Sequence, residues 1–225
     1  MSIEKIWNKV PSGWRHLDKN STNVKNNIDY ITPSLELISP PTNVVDWGPG
    51  GGYISQHIHK RFDTIESVDF VDICDDRFDL VEEVLKNVNS VVGHKYDSES
   101  GPGALSIRSC PDLLICYSVI YHMPSIAYAE EVLKYWNDEL KPKQILIRSL
   151  FVDQKENWER GKQTEDWDHG DFLRGNLMTL DHFTGLMKDY DYIEKDVIKN
   201  VKHAGCPQHI DMRISMKRIF NDGVQ

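Results

Sequence analysis

One stretch of the chain decides its fold: Asn43-Val44-Val45-Asp46-Trp47-Gly48-Pro49-Gly50-Gly51-Gly52. It begins as a short apolar run that the glycines stop, which predicts a strand ending in a turn. Glycine has no Cβ, so glycines at alternate positions let the chain turn tightly and let its backbone approach a ligand closely. The pattern Asp46-x-Gly48-x-Gly50-x-Gly52 therefore predicts a ligand-binding turn after a buried strand.

Strands and helices alternate around this stretch. Further strands are predicted at residues 67–73, 91–96, 113–117 and 144–152, and helices at residues 24–38, 53–61, 75–85 and 125–140. A helix near residues 180–190 and strands near residues 192–201 and 212–219 follow. Apolar strands that alternate with helices are typical of a parallel sheet covered on both faces. We expect an α/β fold, with a doubly wound, mostly parallel seven-stranded sheet, helices on both faces and an antiparallel edge strand.

The chain is predicted to form a single domain, residues 1–225, because this length suits one sizeable core and is short for two. Its predicted parts are an N-terminal arm and cap helix (1–41), a ligand-binding half (42–152), an insert (153–178) and a C-terminal helix with strands (179–225). Long loops in compact domains are often functional, so the polar insert is predicted to lie on the substrate side.

Composition and charge restrict the function. The chain has 26 Lys and Arg against 35 Asp and Glu, a net charge of −9. Nucleic-acid affinity depends on neutralising phosphates, so a long nucleic-acid substrate is disfavoured. The cysteines show neither a CxxC pair nor zinc-ligand spacing, and no metal site is predicted. No signal-peptide core and no apolar stretch of membrane-spanning length is visible, so we expect a cytoplasmic protein without a membrane partner.

The glycine pattern excludes two common nucleotide-binding motifs. A P-loop ends in Gly-Lys-Ser/Thr, and the turn contains no lysine. The Gly-x-Gly-x-x-Gly fingerprint of dinucleotide sites fails because it would place its third glycine at Tyr53 or Ser55. A glycine-rich turn that binds nothing stays open as the alternative at this point.

Acidic residues recur at the ends of the following strands. Asp72 stands at the tip of the second strand, where a carboxylate can accept both hydroxyls of a ribose. Asp69, earlier in the same strand, is the alternative for this role. Asp97 follows the third strand, where a carboxylate can accept a hydrogen bond from an exocyclic amine such as that of adenine. This recurrence at successive strand tips predicts one nucleoside-binding site.

The combined pattern resembles that of class I S-adenosylmethionine (SAM)-dependent methyltransferases, which implies a Rossmann-like methyltransferase fold. The matching stretches, in chain order, are residues 44–52, Val71-Asp72-Ile73, Asp97, residues 111–122 and residues 140–147. The resemblance spans roughly residues 42–152 and is specific for SAM binding. It says little about the methyl acceptor.

The chain departs from the family pattern at two places. Lys143 stands where a glycine usually follows the proline that precedes strand five. The gap between Gly52 and Asp72 is longer than usual, which keeps Asp69 open as the ribose-binding acid.

The resemblance implies SAM as the cofactor and assigns a part of it to each matched residue. The implied cofactor-binding residues are Asp46, Gly48, Gly50 and Gly52 for the methionine part, Asp72 for the ribose, Asp97 for the adenine, and Tyr117 and Ser118 along the methionine side. Because the sulfonium of SAM is already a reactive methyl donor, the protein must mainly align a nucleophile and exclude water.

Residues outside these motifs are candidates for the acceptor side. His122 follows the fourth strand and His169 lies in the insert; a histidine can take a proton near neutral pH, so both are candidate catalytic residues. A packing role for His122 and an exposed-loop role for His169 are the alternatives. Arg148 is a charge in an apolar strand, so it pairs with a structural acid or binds substrate. Trp158 and Arg174, both in the insert, are further candidate substrate-binding residues.

We therefore expect an enzyme that transfers a methyl group from SAM to an oxygen or nitrogen of a small soluble molecule. One alternative keeps the reaction and changes the acceptor to RNA or a protein side chain. The other alternative is a non-catalytic SAM-binding or scaffold subunit.

Overall fold

The computed structural model describes residues 18–97, 101–123, 125–158, 176–201 and 208–220. Its strands are β1 (Asn43–Trp47), β2 (Ser67–Asp72), β3 (Ser90–Lys95), β4 (Leu113–Tyr117), β5 (Gln144–Val152), β6 (Met178–Thr179), β7 (Tyr190–Val201) and β8 (His209–Arg218). Its helices are α1 (Thr22–Ile31), α2 (Tyr53–Arg61), α3 (Phe78–Val84), α4 (Ile126–Tyr135) and α5 (Leu180–Leu186).

All the described strands join one sheet in the order β3–β2–β1–β4–β5–β8–β7, with β6 paired to β5 outside this path. The pairs from β3 to β5 are parallel, whereas β8 is antiparallel to both β5 and β7. The strand order reverses between β1 and β4, which creates a switch point at their carboxyl ends. The expected doubly wound, mostly parallel α/β sheet with antiparallel pairing at one edge is confirmed.

The helices cover both faces of this sheet. Core side chains of α1, α2 and α3 form one buried cluster, which includes Ile31, Ile58 and Val81. Those of α4 and α5 form another, which includes Leu133 and Phe183. Strands between two such layers are apolar on both sides, which is why β1, β4 and β5 read as continuous apolar runs in the sequence.

The structure corrects several predicted boundaries. The helix expected over residues 24–38 stops at Ile31 and continues as a tight helical turn over Thr32–Glu36, where Pro33 has no N–H to donate to a helix. The helix expected over residues 125–140 ends at Tyr135 and widens into the turn Trp136–Leu140. The expectation of seven strands missed β6, which is too short to produce an alternating or apolar pattern.

β7 is the outermost strand described on its side of the sheet and pairs only with β8. Its register with β8 shifts between Tyr192 and Glu194 and again between Val197 and Lys199. None of the helices described is both long enough and apolar enough to cross a lipid bilayer.

Candidate active site

The glycine turn lies at the carboxyl end of β1, at the switch point of the sheet. Gly48, Gly50 and Gly52 all have positive φ, at 78°, 58° and 75°. The N–H of Gly48 donates a hydrogen bond of 2.8 Å to the carbonyl of Val71, which ties the turn to the end of β2. Positive φ is the conformation in which only glycine avoids a steric cost, so the sequence pattern and the backbone agree here.

The turn is packed so closely that it excludes side chains. A Cβ built on Gly48 would stand 2.4 Å from Cγ2 of Val119, in the segment that follows β4. A Cβ on Gly52 would stand 3.1 Å from Cγ1 of Val81, in α3. The turn therefore lies between α3 and the segment after β4.

Asp46 is buried directly before this turn. Its side chain accepts a hydrogen bond of 2.5 Å from the Ser55 hydroxyl, in the first turn of α2. Burial raises the pKa of Asp46 from 3.8 to about 7, an effect that the Ser55 hydrogen bond opposes and the nearby carboxylate of Asp72 reinforces. A cationic group of a ligand bound beside Asp46 would therefore stabilise its carboxylate form.

The structure places the two alternative ribose acids differently. Asp72 is the last residue of β2, and its Oδ1 accepts a hydrogen bond of 3.0 Å from the backbone N–H of Cys74. Asp69 lies inside β2 and bonds to His94 of β3, with 2.7 Å between Asp69 Oδ1 and His94 Nε2. Because only Asp72 stands at the strand end beside the glycine turn, the geometry favours it for the ribose role.

Asp97 is exposed just after β3, and the residue before it, Tyr96, belongs to a group of aromatic rings. The Tyr96 ring lies 5.8 Å from Trp47 and 5.5 Å from Tyr128, and it is perpendicular to the latter. Burial raises the pKa of the Tyr96 hydroxyl, and the Asp97 carboxylate adds to this shift. Asp97 thus follows a residue of an aromatic cluster that contains Tyr96, Trp47 and Tyr128.

The segment after β4 begins with Tyr117 and Ser118. The Tyr117 side chain is buried in the core cluster to which α1, α2 and α3 contribute. Ser118 has a positive φ of 63°, and its N–H donates a hydrogen bond of 2.8 Å to the carbonyl of Arg148. His122 ends a short helical turn, half-buried, with its ring centroid 4.1 Å from that of Tyr121.

Arg148 is held by residues of this chain. Its Nε and Nη2 donate to the two oxygens of Asp211 at 3.1 and 2.7 Å, and its Nη1 donates to Asn27. Nη1 also lies 3.4 Å from the Ser118 hydroxyl, and the guanidinium stacks 4.5 Å above the Tyr30 ring. The two alternatives for Arg148 were a pair with a structural acid and a role in substrate binding. The structure shows the pair with a structural acid. The arginine links β5, β8, α1 and the Ser118 turn.

We expect Arg148→Met to lower the free energy of unfolding by roughly 3–5 kcal/mol, because it leaves the buried Asp211 carboxylate without its cation. Urea denaturation at neutral pH measures this loss. The control is Lys143→Met, which breaks a pair in which Lys143 is half-exposed and should cost at most about 1 kcal/mol. Equal, small losses in both variants would contradict a structural role for Arg148.

The described ends of the insert are fastened next to the segment after β4. Trp158 and Leu177 exchange two backbone hydrogen bonds of 2.8 Å, and the Asn176 amide donates to the carbonyl of Met123 at 2.9 Å. The Trp158 side chain packs on a small cluster that contains Tyr121. His169 and Arg174, like residues 1–17 of the N-terminal arm, lie outside the described residues.

Sequence reasoning missed three residues that shape this site. Ser55 bonds Asp46, Val119 contacts Gly48, and Asp211 pairs with Arg148. A hydroxyl one helical turn after the glycines was a usable signal for Ser55, whereas Val119 and Asp211 carried none. Among the residues described, no three His, Cys, Asp or Glu side chains come together as a metal site.

Comparison with solved structures shows the same fold in known methyltransferases. The N-methyltransferase NodS from Bradyrhizobium japonicum WM9, in complex with S-adenosyl-L-homocysteine (SAH), matches with a TM-score of 0.66 at 10% identity, over 98% of this chain and 100% of NodS. Coclaurine N-methyltransferase bound to N-methylheliamine and SAH matches with 0.68 at 10%, over 96% and 81%. The pyocyanin biosynthetic protein PhzM matches with 0.53 at 13%, over 87% and 56%.

Sequence comparison assigns the family. No curated protein sequence gives a match. The family model described as "Methyltransferase domain" matches residues 17–193, which contain β1 to β6 and every helix described. The chain therefore belongs to the methyltransferase domain family.

Proposed function

We propose that this chain is a SAM-dependent methyltransferase that transfers a methyl group to an oxygen or nitrogen of a small soluble molecule. The observation that carries the proposal is the glycine turn at the end of β1, with three positive φ angles and the buried Asp46 beside it. Two of the similar structures contain SAH, the product that SAM leaves after giving up its methyl group.

The residues at this edge of the sheet fit the three parts of SAM. The glycine turn, which carries no side chain at Gly48 and Gly52, is proposed to contact the methionine part, and the Asp46 carboxylate suits its ammonium group. Asp72 at the tip of β2 would hold the ribose, and the exposed Asp97 would hold the adenine amine. The turn and the strand-end acids thus supply complementary chemistry to each part.

Methyl transfer from SAM does not require the protein to form a covalent bond with either reactant. SAM supplies an electrophilic methyl group when it is bound. The Ser118 turn, held through the Arg148 carbonyl, shapes the methionine side of the site. His122 is the candidate base for an acceptor that carries a proton, and His169 stays a second candidate. Trp158, packed beside Tyr121, is proposed to exclude water from the acceptor side.

Charge favours a small acceptor over RNA. The net charge of −9 repels a polyanion, and the proposed substrate-side insert, residues 153–178, is itself rich in acids. One of the similar structures is bound to N-methylheliamine, a small molecule, and this supports the proposal by analogy. The atom that receives the methyl group is an oxygen or nitrogen in this proposal.

Methyl-labelled SAM, incubated with the protein and a cell extract, tests the proposal. We expect label in the small-molecule fraction, no label with Asp72→Asn, and retained labelling with Asp69→Asn, the matched change inside the same strand. Label confined to RNA would overturn the small acceptor, and so would label confined to protein. Tight SAH binding without label in any fraction would indicate a scaffold subunit.

A further inference from the structure

Arg77 is a buried cation that the proposed function leaves without a role. It precedes α3 and is only 5% exposed. Its Nη1 lies 3.7 Å from Oδ2 of Asp72, and its Nε lies 3.4 Å from Oδ1 of Asp76. Its Nη2 is buried and has no hydrogen-bond partner in the part of the chain that the structure describes.

This arrangement is costly for the protein alone. A guanidinium has five N–H donors, and burying it is unfavourable unless they are paired. Both contacts to carboxylates are long, and Asp76 is nearly half-exposed, so its attraction is screened by solvent. An unpaired buried donor is satisfied when a ligand bound beside it brings an acceptor.

The position of Arg77 places it at the nucleoside end of the proposed site. The helix that it precedes packs against the glycine turn, since Val81 of α3 is the neighbour that a Cβ on Gly52 would meet. Asp72, the proposed ribose acid, is its closest carboxylate after Asp76. Arg77 therefore lies beside both the turn and the acid that the donor would occupy.

The chemistry of a ribose hydroxyl requires a partner of this kind. An ionised carboxylate can only accept hydrogen bonds, so a hydroxyl bound by Asp72 is the donor of that hydrogen bond. Its two lone pairs then need a separate donor. Asp72 has no donor with which to meet these lone pairs. The buried Nη2 of Arg77 is a donor of the right type next to it.

We propose that Arg77 is a SAM-binding residue whose guanidinium orients the Asp72 carboxylate and whose Nη2 donates a hydrogen bond to a ribose hydroxyl of SAM. This inference rests on the proposed function. It extends the ribose subsite from one acid to an acid–arginine pair, in which one hydroxyl can donate to Asp72 and accept from Arg77.

Calorimetric binding of SAH and of its 2′-deoxy and 3′-deoxy analogues tests the inference. In Arg77→Met, SAH binding should weaken by about ten- to a hundredfold, the size expected for hydrogen bonds to a charged group. Removal of at least one ribose hydroxyl should also reduce affinity less in Arg77→Met than in the wild type. The reason is that Arg77→Met already lacks the hydrogen bond to that hydroxyl. Thermal unfolding confirms that each variant is folded.

Two further variants make the test decisive. Arg77→Lys keeps the charge beside Asp72 but lacks the guanidinium donor, so it should lose the same hydroxyl preference even if Arg77→Met does not fold. Arg61→Met removes a half-exposed arginine of α2 and should change none of the three affinities by more than about twofold.

The outcomes separate the inference from the proposed function. A uniform loss of affinity for SAH and both analogues in Arg77→Met and Arg77→Lys would show a structural role only and overturn the inference. Unchanged SAH binding in both variants would overturn it as well. A folded wild-type protein that binds no SAH would overturn the proposed function together with the inference that rests on it.

Discussion

Gly48→Ala should weaken SAH binding by about ten- to a hundredfold, because overpacking of about 1–3 kcal/mol displaces the turn that is proposed to contact the ligand. The new Cβ would stand 2.4 Å from Val119 Cγ2, and the backbone has a φ of 78°, so the turn must move to accommodate it. The free energy of unfolding should fall by roughly 2–4 kcal/mol through backbone strain and overpacking. Calorimetry and urea denaturation measure the two effects.

A matched glycine elsewhere should behave in the opposite way. Gly185 lies in α5 with no atom within 4 Å of an added Cβ, so Gly185→Ala should stabilise the protein by up to about 1 kcal/mol. Gly48→Ala combined with Val119→Ala should recover the part of the loss that is due to the clash, but not the part due to φ. Wild-type SAH binding by Gly48→Ala would show that this backbone does not approach the ligand.

Asp46→Asn should stabilise the unliganded protein at pH 8 by up to about 4 kcal/mol, the equivalent of a shift in pKa from 3.8 to about 7. The folded-state pKa is the higher one, so between these values the unfolded chain binds fewer protons at this site. The contribution of Asp46 is therefore present in full below pH 3.8 and is lost as the pH rises to about 7. Asparagine removes this dependence and can still accept the Ser55 hydrogen bond.

The same substitution should weaken ligand binding. If the Asp46 carboxylate binds the ammonium of SAH, wild-type affinity should rise about tenfold per pH unit below a pKa of about 7 and then level off. Asp46→Asn should bind more weakly, with little pH dependence over the same range. Calorimetry between about pH 5.5 and 8.5 measures both profiles. Parallel profiles for the two proteins would contradict this role for Asp46.

The sequence was most informative where burial was complete. β1, β4 and β5 were predicted at their observed ends, because each is an apolar run between two layers of helices that a small or polar residue ends: Gly48, Ser118 and Asp153. The two-residue β6 was missed because so short a strand leaves no pattern. The split of the predicted helix at Ile31 was foreseeable from Pro33, since a proline has no N–H to donate within an α-helix.

The sequence predicted those parts of the candidate site whose positions follow from the order and direction of the strands. Asp46 and Asp72 could be placed together because parallel strands bring their carboxyl ends to one edge of the sheet. The pairing of Arg148 with Asp211, across 63 residues, depends on the insertion of β8 beside β5 and left no local signal. The hydrogen bond of Asp69 to His94 likewise became visible only with the register of β2 and β3.

The outer strand β7 has a consequence for aggregation. An open strand edge is a template on which another chain can add a strand, and β7 exposes the apolar side chains of Ile193 and Val197. Its two register shifts bend the edge, and the exposed charges of Lys195 and Lys199 would have to be desolvated by an incoming strand. The same irregularities that interrupt the ladder with β8 thus oppose growth of this sheet into a second molecule at high protein concentration.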